Sequence, residues 1–288
     1  MVRILAKEAG VRGMACVTTE LVLDAATRHE ASPVATAALG HGLTAAALLG
    51  ALLKVQQRVA IKIEGDGPLG KMVVEGNSYG RVRGYVSEPT ATLPAPWSAS
   101  DVGLALGRRG LLTVVKDVGL KELYEGVVPL QSGQLDSDLV YYFMQSEQAP
   151  TLVEIGAKLN DQDELQAAGG LLLQRLPDAD TTTLRALAER LDDLPNFAAQ
   201  LAQGQSPEHI LATIFGDIPY EVLEKQPLTF KCNCSWEWAE QAIRLLDRED
   251  LAQLMAEGEA VVDCYFCHQR YIFGVEALET IIENGATQ

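Results

Sequence analysis

Four of the five cysteines in this chain fall in its last fifth, as Cys232-Asn-Cys234 and, after 29 intervening residues, Cys264-Tyr-Phe-Cys267. No other feature constrains the fold so tightly. A terminal segment of roughly sixty residues is marginal for an independent apolar core, so something must staple it. Two cysteine pairs suit a closed tetrahedral zinc site with four thiolate ligands. The CxxC pair lies between two strand-like runs, 260–263 and 270–273, where a tight turn aims both sulfurs at one ion. In the CxC pair, residues two apart in extended chain face the same side. Metal binding then couples to folding, and the segment is expected to lose much of its structure without the ion.

Other readings of these cysteines compete. Cys264 to His268 reads CYFCH, the pattern of c-type haem attachment. That reading requires export and leaves Cys232 and Cys234 unexplained. A thioredoxin-like CxxC requires a βαβ context, which the sequence lacks. A purely structural zinc ribbon explains every ligand, and spacing leaves open whether the site is structural or switchable. Zinc ribbons often contact nucleic acid. Here residues 231–288 hold four basic and eleven acidic side chains, and the whole chain carries 23 basic against 39 acidic, a net of −16. That field repels phosphate, so no nucleic-acid partner is expected. His268 reads as a turn residue. His29, His41 and His209 have no partner pattern, and Cys16 reads as a small core residue.

Upstream, an apolar fraction of 48% over 288 residues provides for a sizeable core. Residues 31–53 contain no Asp, Glu, Lys or Arg, long enough to mimic a membrane span. The stretch is diluted by alanines, three glycines, Thr36, His41 and Thr44, and fits a buried central helix better. Ser32 and Pro33 mark its start. No membrane partner is expected. Residues 1–20 hold no sustained apolar run, which makes a reducing cytosol the expected compartment.

Alternation at 58–63, 71–75 and 81–86 predicts an antiparallel meander, with a further strand at 111–116 and a helix at 138–147. Gly65, Gly67 and Gly70 spell the dinucleotide fingerprint, but a strand-like KMVVE follows where a helix is required. They read as a hairpin connection. From about residue 178 the texture changes to short helices. Leu184, Leu187, Leu191 and Leu194 recur at helical spacing. Ser206-Pro207-Glu208 starts another helix with Ile210, Leu211, Ile214 and Phe215 on one side and Gly216 at its end. Such short helices need a surface to lie on. They form either a helical layer of the main domain or a detachable linker docked on it. Beyond 226, Ser235 and Asp247 are expected to cap two helices, with a final one through Leu278 and Ile281.

The runs FKCNCSWEWAEQAI and VVDCYFCHQRYIF resemble the zinc module of the heat-shock protein 33 family of redox-regulated chaperones. LGHGLTAAALLGALLK, EGDGPLGKMVVEG, GRVRGYV, YFMQSEQAP and AAGGLLLQRLP are similar, in order, to segments of that family's N-terminal domain, so the resemblance covers essentially the whole chain. It implies an α+β fold in three parts. An N-terminal client-binding domain at 1–177 has a twisted antiparallel sheet with helices. A helical linker at 178–225 covers its surface, and a small zinc-binding α+β redox-switch module spans 226–288. By matching motif, Cys232, Cys234, Cys264 and Cys267 are implied to bind one Zn²⁺ in the reduced state. Oxidation is implied to pair Cys232 with Cys234 and Cys264 with Cys267, expelling the metal. The implied function is not enzymatic. It is an ATP-independent holdase for unfolding client proteins, typically dimeric, above all when oxidised. Leu184, Leu187, Leu191, Ile210, Ile214 and Phe215 are the expected linker and client surface. The alternative is a constitutive binding or regulatory protein with a structural zinc module. A thiol oxidoreductase is a third class. Trp238 departs from the family pattern, which leads one to expect a basic residue there, and Trp236 lies close by.

Overall fold

The computed structural model describes residues 1–177 and 179–285. Asp178, where the linker is expected to begin, and residues 286–288 of the expected C-terminal module lie outside the described residues. In chain order the elements are β1 (Val2–Ala6), β2 (Val11–Val17), α1 (Thr19–Arg28), α2 (Pro33–Ala51), β3 (Arg58–Gly65), β4 (Lys71–Asn77), β5 (Arg81–Val86), α3 (Val102–Leu106), β6 (Gly110–Asp117), β7 (Tyr124–Pro129), α4 (Leu135–Tyr142), β8 (Thr151–Leu159) and β9 (Leu165–Arg175). There follow α5 (Thr182–Asp192), α6 (Phe197–Ala202), α7 (Pro207–Phe215), β10 (Glu221–Lys225), β11 (Thr229–Phe230), α8 (Trp236–Arg244), α9 (Arg248–Glu257), β12 (Glu259–Asp263), β13 (Arg270–Gly274) and α10 (Val275–Gly285). The fold is mixed α+β. The chain parts into two units, Met1–Lys231 and the residues from Cys232 onward.

The first unit is organised by α2. Ser32 Oγ accepts the Ala35 N–H at 3.2 Å and Pro33 takes the first helical position, so the helix starts where its sequence signals it. The helix is long and apolar enough to cross a membrane, yet it is buried inside the protein. It packs on β3, β4 and β5 of one sheet and on β2, β8 and β9 of the other. Its small residues permit this close approach. At Gly76 a Cβ would stand 2.1 Å from the Ala46 carbonyl oxygen, so β4 rests directly on the helix backbone.

One sheet has the order β11-β5-β4-β3-β6-β7, antiparallel except for the β11–β5 pair. It contains the expected meander. Gly65 ends β3 and Gly70 precedes β4, so the glycine motif lies in a hairpin connection with no helix after it. The other sheet, β10-β1-β2-β9-β8, is antiparallel throughout. It is covered by α2 on one face and carries α5, α6 and α7 against β2, β8 and β9. The helix expected at 138–147 is α4 followed by a wider π turn at Phe143–Glu147, ended by Gln148 in the left-handed region at φ 52°. That turn brings the Glu147 carboxylate to the Tyr142 hydroxyl at 2.8 Å and to Lys116.

The second unit is small. Ala239, Ile243, Ala260, Phe273, Leu278 and Ile281 form its buried core, between α8, α10 and the antiparallel β12–β13 hairpin. Ser235 Oγ accepts the Trp238 N–H at 3.2 Å to cap α8. Asp247 caps α9, which closes at Gly258 with φ 89°.

Candidate metal centre

The β12–β13 hairpin ends in register at Asp263 opposite Arg270, whose side chains meet at 2.8 Å. The intervening turn is fixed by its own backbone. Cys264 N–H donates to the Gln269 carbonyl at 3.0 Å and His268 N–H to the Cys264 carbonyl at 2.8 Å. His268 takes the left-handed conformation, φ 54°, that the turn demands. The peptide N–H groups of Phe266 and Cys267 donate to the Cys264 sulfur, and that of Gln269 to the Cys267 sulfur. Such bonds favour the thiolate form.

Cys232 and Cys234 approach from the segment that leads into α8. Cys232 Sγ lies 3.6 Å from Cys264 Sγ, and Cys234 Sγ lies 3.3 Å from Cys267 Sγ. All four sulfurs fall within 4.8 Å of one another. A disulfide measures about 2.05 Å, so all four are free thiols here. Four sulfurs around one zinc at about 2.3 Å would stand about 3.8 Å apart, close to the observed spacing. The Tyr271 hydroxyl donates to Cys234 Sγ at 3.2 Å, supporting that ligand position from outside. The Trp236 ring lies 4.2 Å from Phe273 and 6.3 Å from Tyr271, so it braces the strand that carries this hydroxyl. Trp238 is 43% exposed.

The electrostatics are compatible with a bound cation. Cys264 and Cys267 are buried, at 2% and 8% exposure, whereas Cys232 and Cys234 are half-buried. Burial, followed by the neighbouring sulfurs, raises the Cys264 and Cys267 thiols above the ordinary cysteine range. Four adjacent thiolates repel one another unless a positive ion sits among them, and a divalent ion leaves a net of −2. The residues present therefore fit a metal ion bound through four sulfurs. Cys16 stands apart in β2, fully buried, with its thiol pushed up to about 12 by burial.

The apolar residues expected on the linker lie in the first unit. Leu184, Leu187, Ile210, Ile214 and Phe215 are buried and Leu191 is partly buried, in a cluster with Val2, Ile4, Val11, Leu171 and Leu173 of β1, β2 and β9. Polar ties hold these helices down. Arg190 of α5 donates to the Ile214 and Phe215 carbonyls at the end of α7 and to Asp217 at 2.9 Å. Glu154 of β8 accepts the Phe197 N–H at the start of α6 at 2.7 Å. Burial raises the Glu154 carboxyl above its usual range, with Asp136 and Asp192 adding to the effect. Sequence reasoning missed these ties, because an isolated Arg or Glu in a helix or strand carries no signal of a distant partner.

The family model described as Hsp33 protein matches residues 1–274. The 33 kDa chaperonin of Citrifermentans bemidjiense is 43% identical over 100% of this chain and 98% of its own length. The 33 kDa chaperonin of Geobacillus kaustophilus is 40% identical over 98% of this chain and 96% of its own. The crystal structure of the 33 kDa chaperonin (heat shock protein 33 homolog) of Thermotoga maritima superimposes with a TM-score of 0.90 at 33% identity, covering 100% of this chain and 99% of that one. These relatives are named as chaperonins and not as enzymes, and the chain belongs to the Hsp33 family of chaperones.

Proposed function

We propose that this chain is an oxidation-activated, ATP-independent holdase of the cytosol, switched by a four-cysteine zinc site. The convergence of Cys232, Cys234, Cys264 and Cys267 within 4.8 Å, in a unit with six buried apolar core side chains among its described residues, carries the reading. These four residues hold one Zn²⁺ in the reduced protein. When bound, the ion keeps the thiols deprotonated and adds its binding energy to folding.

The half-buried Cys232 and Cys234 offer the accessible sulfurs to an oxidant. A thiolate attacks peroxide to give a sulfenic acid, and a second thiolate displaces hydroxide from it to form the disulfide. Each disulfide takes two electrons from two thiolates and turns one peroxide into two hydroxide ions. The pairing implied by the resemblance, Cys232 with Cys234 and Cys264 with Cys267, consumes two peroxides. Those residues then have no thiolate donors left, and the second unit loses its staple. All four sulfurs lie within 4.8 Å of one another, so each within-motif partner is already near.

The linker, 178–225, is proposed to undock in consequence. Its departure uncovers the apolar face of β1, β2 and β9, together with Leu184, Leu187, Leu191, Ile210, Ile214 and Phe215. Large exposed apolar patches capture other apolar surfaces, here those of unfolding clients. The net charge of −16 keeps such complexes soluble. The oxidised protein is also expected to form a homodimer, with this face left open to clients.

Limited proteolysis and an apolar fluorescent dye test the reading on the zinc-loaded protein before and after peroxide. Rapid cleavage within 182–225 and a rise in dye binding after oxidation are expected. Unchanged cleavage and dye binding in a protein that has lost its metal would leave the site structural and the chain a constitutive binding protein.

A further inference from the structure

One stretch of chain finishes both sheets of the first unit. β10 pairs antiparallel with β1, and β11 pairs parallel with β5, each at the end of its sheet. The β10 contact is unusual in how little side-chain burial supports it. All five residues of β10 are exposed, Leu223 by 53% and Val222 by 48%. The register sets Val2 opposite Lys225, Arg3 opposite Glu224, Ile4 opposite Val222 and Leu5 opposite Glu221, with an irregularity between Arg3 and Ile4. Beyond the main-chain hydrogen bonds, the ties are the ion pairs Arg3–Glu224 at 2.8 Å and Lys225–Glu208 at 2.6 Å. Both are open to water and contribute little.

The edge beneath β10 has a different character. Val2, Ile4 and Ala6 of β1 are buried in the apolar cluster that α5 and α7 cover. Where β10 and those helices leave together, β1 presents a row of unpaired N–H and C=O groups beside an apolar face. Unpaired strand edges take up another extended chain, and backbone groups without partners are costly. Main-chain pairing is indifferent to sequence, which suits a protein that holds many clients. The adjoining face selects side chains at every second position.

We propose that the β1 edge is the client's backbone-docking site, and that β10 is a built-in substitute for the client in the resting protein. The partner is an extended segment of an unfolding protein with apolar residues at alternate positions, paired along residues 2–5. A helical or compact segment cannot satisfy that edge. This inference rests on the proposed undocking of the linker and specifies what then binds.

Amide hydrogen exchange on the full chain tests it in three states: reduced and zinc-loaded, peroxide-oxidised, and oxidised with a thermally unfolding client enzyme kept soluble. The β1 amides that face β10 are expected to exchange on the order of tenfold faster after oxidation. The client should slow them again by a similar factor, while Glu221–Lys225 stays fast. β1 amides that remain fast while the client is held in solution would overturn the β1 edge as the docking site and leave the holdase intact. So would β1 amides that never lose protection on oxidation, because β10 would then not have left. Recovery of protection on oxidation without client, increasing with protein concentration, would assign the edge to a second copy instead. An oxidised protein that holds no client overturns the holdase reading and this inference together.

Discussion

The two units of this chain solve the problem of stability in opposite ways. The unit Met1–Lys231 surrounds a nineteen-residue helix, α2, with two sheets and buries residues 34–51 without exception. Among its described residues, the unit from Cys232 onward buries six apolar core side chains and gathers four sulfurs. Removing apolar surface from water is sufficient for the first and marginal for the second. A fold that depends on a ligand can be switched by changing the ligand's donors, whereas a fold with its own core cannot. Under the proposed function, this contrast assigns the sensor to the smaller unit and the durable scaffold to the larger.

The sharpest way to break the comparison is Cys264→Ser. It removes a buried donor from a site whose occupation by zinc is worth on the order of 10 kcal/mol in small modules. Amide exchange from Cys232 onward is expected to become fast, while α2, β3 and β4 keep their protection. Equal loss in both units would show that the first does not stand on its own core.

Next in size is Leu187→Ala in α5. Leu187 is fully buried against the β1–β2–β9 face, and its truncation should cost about 4 kcal/mol of helix docking. Protease cleavage within α5 and α6 is expected to rise in the reduced, metal-loaded protein, and peroxide should activate it sooner. Unaltered cleavage would mean that the helical layer is held by something other than this apolar contact.

Acid provides a test of the larger unit alone. His41 lies inside α2, and neither ring nitrogen has a hydrogen-bond partner among the described residues. Burial lowers its pKa from 6.5 to about 4. The unfolded chain therefore takes up a proton as pH falls through 6.5, while the folded protein resists until about 4. Stability is complete above 6.5 and declines by about 3 kcal/mol down to pH 4, roughly 1.4 kcal/mol for each unit of difference. The urea midpoint of the first unit should follow this slope, and His41→Leu should flatten it. A slope that survives the substitution would assign the acid sensitivity to other groups.

The smallest expected effect is that of Ser206→Ala. Its side chain accepts the His209 N–H at 3.2 Å at the start of α7, and the loss should cost about 1 kcal/mol. Urea titration of the reduced protein would detect it as a small shift of the earliest transition. A shift as large as that of Leu187→Ala would mean that the cap, and not the apolar stripe, governs docking.

Much of this was legible where a local rule operates. Ser32, Ser206, Ser235 and Asp247 each cap the helix that follows, because an N-cap is decided within four residues. The meander β3–β4–β5 alternates because only one of its faces lies on α2. The cysteine cluster was legible because metal geometry fixes its residue types and spacing. β9 was not, since its central residues are buried on both faces and read as one apolar run. β10 was hidden for the opposite reason, being exposed along its whole length with no pattern to betray a strand. Neither the π turn after α4 nor the ties from Arg190 and Glu154 can be read locally, because each depends on partners supplied by distant chain.

The central claim is that oxidation of the four cysteines converts a resting protein into a holdase. It is tested most directly by following light scattering from a thermally unfolding client, with a chromogenic chelator reporting zinc in the same cuvette. The protein enters reduced and zinc-loaded, with or without peroxide. Suppressed aggregation in the oxidised sample alone, rising in step with released zinc, is the expected result. Equal suppression in both samples, or release of zinc without any gain in suppression, would contradict it.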